Sequence, residues 1–185
     1  MHFALKSAAD RAAGRLHRSS FSDEILTIAM LNIFHNGNLS KRLRELKNMS
    51  LFVELTHREM KIVDGFMHER SYLKDEVIFD EGEEGQAIYI ILEGRVVICH
   101  QGQADKPIAL LESGNFFGEL ALLDDAPRAA QARAGENCTL VILFRGDFLN
   151  LMLSHALIAS KIALQLARHL GARLRTVVRN DLGPL

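Results

Sequence analysis

No stretch of this sequence stays apolar for long enough to cross a bilayer. The longest runs, such as Cys138 to Phe144, fall far short of the roughly 20 residues a spanning helix needs. The opening residues Met1 to Asp10 are broken by charge and lack the apolar run of a secretory signal. Cysteine is scarce. Cys99 and Cys138 both fall in strand-like apolar runs, and without an export signal they read as buried thiols, not as a disulfide. Internal repeats and low-complexity tracts are also missing. These absences point to a soluble, cytoplasmic protein with no membrane span.

What is present is a globular composition, 48% hydrophobic and 24% charged over 185 residues, enough for one ordinary domain with some excess. The net charge of −1 hides an uneven distribution. Residues 1–50 carry eight Lys and Arg against four Asp and Glu, and residues 155–185 carry five against one. The middle, 51–154, carries nine against eighteen, which argues against nucleic acid as its partner. An anion bound there must be held by a local device that works against the background field.

Periodicity divides the chain into three zones. Residues 1–48 read as a helical extension. Ala8 to Leu16 is rich in Ala and Arg, and Ser22-Asp23-Glu24 opens a helix carrying Ile25, Ile28, Ala29 and Ile33. Asn36-Gly37-Asn38 is a stop, and Ser40 caps a short basic helix through Lys47. Residues 49–182 form the main domain. Thr56 and Glu59 make a capping box for a helix with Met60, Val63, Phe66 and Met67 along one side. From about 71 to 144 short strand-like runs alternate with turns: Glu76–Phe79, Ala87–Leu92, Arg95–His100, Pro107–Leu111, Ala129–Ala134 and Thr139–Phe144. This spacing predicts an antiparallel sandwich or barrel. From about 146 to 180 the pattern is helical again, with a break near Ser154-His155. A long helix follows, whose stripe is Ile158, Ile162, Leu166, Leu170, Leu174 and Val177. The fold class is therefore α+β.

The chemistry lies in Phe116 to Ala130, FFGELALLDDAPRAA. Gly118 permits close backbone approach, and Glu119-Leu120-Ala121 begins a short helix whose free N–H groups suit a phosphate. Arg128 supplies a planar, permanently charged fork that matches two phosphate oxygens. Glu119 can accept hydrogen bonds from a sugar hydroxyl. Together they make a reader of phosphate plus ribose. Each residue alone has a plainer reading: Arg128 as a surface ion pair, Glu119 as an acid favoured by a helix dipole.

The same segment resembles the phosphate-binding cassette of the cyclic-nucleotide-binding family, whose members include the catabolite activator protein and the regulatory subunits of protein kinase A. Phe-Gly-Glu-Leu-Ala, a short spacer and Pro-Arg-Ala-Ala stand complete. Val77-Ile78-Phe79, Gly82, Gly85, Tyr89-Ile90-Ile91 and Gly94 extend the likeness upstream, and it covers about Met49 to Val178. Glu81 departs from it where the family often has Pro, and His155 where bacterial members often have Pro between the last two helices. The resemblance implies a β jelly-roll barrel flanked by helices. It implies that Arg128 pairs with the cyclic phosphate and Glu119 holds the ribose 2′-hydroxyl. Backbone N–H groups of Leu120, Ala121 and Ala130 would complete the cradle, with Gly118 close to the sugar. Relatives that prefer cGMP commonly have Thr where this chain has Ala129, so the implied ligand is cAMP. Val77 and Val97 would line the base pocket, and Arg173 would cap the base from the long helix.

No Ser/His/Asp or Cys/His constellation is legible, so no catalytic residue and no enzyme activity are expected. The histidines have no metal spacing, and the acidic turn Asp80 to Glu84 lacks the ligand alternation of a calcium loop. Neither a metal nor a cofactor is expected, and the ligand the resemblance implies is cAMP. Related transcription factors carry a helix-turn-helix domain after the long helix, and here Leu185 follows too soon for one, so direct DNA binding is not expected. The leading expectation is a cAMP receptor signalling to an unidentified protein partner by helix rearrangement. The alternatives are a receptor for cGMP or a cyclic dinucleotide, and a ligand-free structural or assembly protein on the same fold. The apolar stripe of the long helix would make a homodimer, or else pack on the barrel.

Overall fold

The computed structural model describes residues 41–182, with side chains as far as residue 179. The helix and cap expectations for residues 8–40 lie outside the described residues. The compact unit begins at Leu43, and residues 43–47 are helical, with Leu43 and Leu46 buried.

Helix α1 (His57–Asp64) starts as its residues dictate. Thr56 Oγ1 accepts from the Glu59 amide, and the Glu59 carboxylate accepts from the Thr56 amide at 2.7 Å, completing the box. Met60 and Val63 are buried on its inner side. Eight strands follow: β1 (His68–Tyr72), β2 (Val77–Phe79), β3 (Ala87–Glu93), β4 (Arg95–Cys99), β5 (Ala109–Glu112), β6 (Phe116–Phe117), β7 (Gln131–Ala134) and β8 (Cys138–Phe144). They pair antiparallel in two four-stranded sheets, ordered β1-β8-β3-β6 and β2-β7-β4-β5. That is the double-sheet arrangement of a jelly roll. Strands β3 and β8 are buried along most of their length, because they are the two central strands of their sheet.

Between the sheets lies a core of Tyr72, Phe79, Ile91, Val96, Phe117, Ala132, Ala134, Cys138 and Leu140. Gly94 turns β3 into β4 at φ +91°, and a Cβ there would lie 2.5 Å from the Cys138 Cβ. Only glycine fits both demands. Cys99 and Cys138 are buried and free, as the sequence implies.

After β8 come α2 (Arg145–Ser154) and α3 (Ala156–Leu182). The break falls at His155, whose backbone (φ −140°, ψ 57°) is not helical. In α3 the first part of the stripe, Ile158, Ile162 and Leu166, is buried, whereas Leu174 and Val177 are exposed. The α+β class and the order of helix, barrel and long helix stand as read from the sequence.

Candidate functional site

Between β6 and β7 the chain leaves the sheet. Gly118 takes a left-handed conformation (φ +72°) and leads into a four-residue 3-10 helix, Glu119–Leu122. The glycine is required twice over: its φ is hostile to L side chains, and a Cβ would sit 2.6 Å from Arg128 Nη1. The turn is tighter than an α-helix, so the Ala121 amide already donates to the Gly118 carbonyl at 3.2 Å. The Ala121 N–H, expected to be free for a phosphate, is shared with that carbonyl here.

Arg128 is buried at 8% exposure, far below what an arginine normally tolerates. Its Nη1 donates to the Gly118 carbonyl at 3.1 Å and its Nη2 to the Ala87 carbonyl at 2.9 Å. The guanidinium also lies over the Phe79 ring, 4.1 Å from its centre. Its Nε is buried and has no hydrogen-bond partner among the described residues. Burial pulls the guanidinium below its ordinary pKa, an effect opposed by the neighbouring Tyr89 and Glu83. Burial likewise pushes the Tyr89 hydroxyl up. The main chain of Arg128 is fixed too, donating to the Glu83 carbonyl at 2.7 Å and accepting from the Gly82 amide at 2.9 Å. The acidic turn is therefore a support for the arginine.

Glu119 is 3% exposed, and its Oε1 accepts from Arg173 Nη1 on α3 at 2.6 Å. Glu119, Arg128 and Arg173 all line one open cavity of about 360 Å³, within the range of small-molecule sites. Gly118, Leu120, Ala121, Ala129 and Ala130 line it as well. The predicted site residues are thus gathered in one place, with two exceptions.

Val77 and Val97 do not line the cavity; Ile98, Ile108 and Leu111 do. The reason is register. Val77 and Val97 both sit opposite Arg133 of β7, whereas Ile98 sits opposite the core residue Ala132. A shift of one residue along β4 moves a side chain to the other face of the sheet. Arg173 lines the cavity, and its guanidinium donates to the Glu119 carboxylate.

Two residues escaped sequence reasoning. His169 lines the cavity one helical turn before Arg173, its ring centre 4.5 Å from that of Phe116. An isolated histidine on an amphipathic helix gives no signal of this. Arg145, at the start of α2, donates to backbone carbonyls of the cassette, and no local sequence signal marks it. Among the described residues no group of three or more His, Cys, Asp or Glu is arranged to hold a metal ion, and no helix is long and apolar enough to cross a membrane.

Known proteins are similar to this chain in sequence and fold. The family of cyclic nucleotide-binding domains matches residues 69–155. The cyclic AMP receptor protein of Thermus thermophilus is 37% identical over 127 residues, covering 68% of this chain and 59% of its own length. The cAMP-dependent protein kinase regulatory subunit of Candida albicans is 36% identical over 108 residues, covering 58% of this chain and 23% of its own. The chain thus spans less than two thirds of these curated relatives. A solved structure described as Sp-2Cl-cAMPS bound to PKAR CBD2 is similar with a TM-score of 0.60 and 30% identity, covering 75% of this chain and 87% of that one.

Proposed function

The chain belongs to the cyclic nucleotide-binding domain family, and from that premise we propose that it is a cAMP receptor that signals to a protein partner and catalyses nothing itself. One observation carries the reading. A buried arginine and a buried glutamate line the same cavity, and the arginine's Nε has no hydrogen-bond partner among the described residues. A buried cation without a full set of acceptors costs free energy, and a phosphate monoanion supplies the missing acceptors. Glu119 directly follows Gly118, whose carbonyl accepts from Arg128, so the carboxylate and the guanidinium meet at one wall of the cavity.

The Arg173–Glu119 pair gives the site its response. A sugar hydroxyl reaching Glu119 meets a carboxylate already shared with α3, so occupancy of the cavity changes what holds that helix. Ile98, Ile108 and Leu111 give the cavity an apolar wall suited to a purine, and His169 lines it from the helix. Ala129 offers the base no hydroxyl, which favours adenine over guanine. Relatives of both kinds are known: the Thermus protein is named a cyclic AMP receptor, whereas a relative from Eimeria tenella is named a cGMP-dependent protein kinase. Calorimetric titration with cAMP, cGMP and a cyclic dinucleotide tests the reading. The expected result is one site per chain with a clear preference for cAMP. Equal affinity for all three, or heat from none, contradicts it.

A further inference from the structure

Arg145 bonds to the cassette at Ala121, Asp124 and Asp125, yet it does not line the cavity. It is the first residue of α2, and its own amide donates to the Gln86 carbonyl at 2.8 Å at the entry to β3. Its side chain then turns back. Nε donates to the Ala121 carbonyl at 2.5 Å, and Nη2 donates to the Gly85 carbonyl at 2.6 Å and to the Asp124 carbonyl. Nη1 meets the Asp125 carboxylate.

Two of these acceptors, Ala121 and Asp124, lie at the end of the 3-10 turn, where helical carbonyls lack partners within the chain's own turn. The Asp125 carboxylate is 89% exposed, so its ion pair contributes little, and the carbonyl bonds carry the contact. Gly85 belongs to the same packed unit: a Cβ there would lie 2.9 Å from that of Ala121. A fork with five donors in fixed geometry can serve three carbonyls at once, and an ammonium cannot match it.

We propose that Arg145 is the positioning residue that ties the cassette to the first turn of α2, so that the placement of Glu119 and the response of α3 both depend on it. The connection forms a closed ring. Glu119 starts the turn that Arg145 holds; Arg145 starts α2; α2 runs through the break at His155 into α3; and Arg173 of α3 returns to Glu119. A shift of the cassette onto a ligand therefore pulls on both ends of the helical pair. The affinity arm of the test rests on the cAMP reading of the cavity, whereas the exchange arm does not.

The test uses the full chain carrying Arg145→Gln or Arg145→Lys. The control is Arg133→Gln, which removes a similar bond from an arginine to a backbone carbonyl (Asp75, 2.6 Å) away from the cavity. In ligand-free protein Arg145→Gln should speed amide exchange across residues 119–125, and it should weaken cAMP binding about tenfold or more. Lysine should restore part of both. Arg133→Gln should leave affinity unchanged whatever it does to melting temperature. Wild-type exchange across the cassette in Arg145→Gln overturns the proposal, as does an equal loss of affinity in Arg133→Gln. Should the glutamine variant fail to fold, the lysine variant decides on the same readouts. A wild-type chain that binds no cyclic nucleotide sinks the cavity reading alone, and the exchange comparison still decides on Arg145.

Discussion

At the scale of single residues the account rests on buried polar groups, whose cost demands a purpose. Arg128 and Glu119 are more buried than their types tolerate without full partners. Replacing either with Ala should weaken cAMP binding by about 1.5–3 kcal/mol, the range for hydrogen bonds to charged groups. Titration calorimetry measures this, and unchanged binding by Arg128→Ala would place the ligand elsewhere. Ala129 is exposed on the cavity wall. Ala129→Thr adds one hydroxyl there and should raise cGMP affinity by about two- to tenfold, one neutral hydrogen bond, with little change for cAMP. Competition between the two nucleotides reads this directly. Arg128 and Glu119 were legible in the sequence because a cassette is contiguous. Val77 and Val97 fall outside the cavity lining because strand facing is settled by the register with β7, which lies more than thirty residues away along the chain. His169 and Arg145 act across long sequence separations, and nothing local to them declares it.

Among the elements, the helices were the easier reading and the strands the harder. The capping box at Thr56 and the break at His155 stand as the residues announced them. Strand β1, His-Glu-Arg-Ser-Tyr, was missed because it is an edge strand with four of five residues exposed, so it shows no apolar alternation. Strand β6 is two residues long, and its phenylalanines were absorbed into the cassette. The link between α1 and α3 gives a testable pH dependence. Lys161 donates to both oxygens of Glu59 at 2.7 and 2.9 Å, in addition to the bonds from Thr56. These partners, Lys161 foremost, hold the Glu59 carboxyl down at about 2, from an ordinary 4.5. A depressed carboxyl stabilises the fold fully above 4.5, and that contribution fades as pH falls toward 2. Glu59→Gln should cost about 1–2 kcal/mol in urea unfolding near neutral pH, the scale of a lost cap with a partly exposed ion pair. The gap from wild type should shrink by about half at pH 3. A gap that stays constant over that range would show that the charge of Glu59 does not matter.

At the scale of the whole molecule, α3 has two uses for its apolar residues. Ile158, Ile162 and Leu166 are buried, whereas Leu157, Leu164, Leu174 and Val178 stay exposed on another side. Leu157, Leu164 and Val178 recur at multiples of seven, with Leu174 four before the last, which is the spacing of a two-helix seam. A homodimer through that seam should show in light scattering as twice the 20.7 kDa chain mass at micromolar concentration, and Leu164→Glu should abolish it. A wild-type monomer contradicts the dimer without touching the site. The central claim is that cAMP binds at the cassette and that the event reaches the long helix through Glu119 and Arg173. Hydrogen exchange of the full chain with and without cAMP tests it most directly. Protection should rise across residues 116–130 and also across residues 165–179, which carry His169 and Arg173. Protection confined to 116–130 would mean that the ligand is held without a transmitted signal, and no change in either segment would mean that the cavity is not its site.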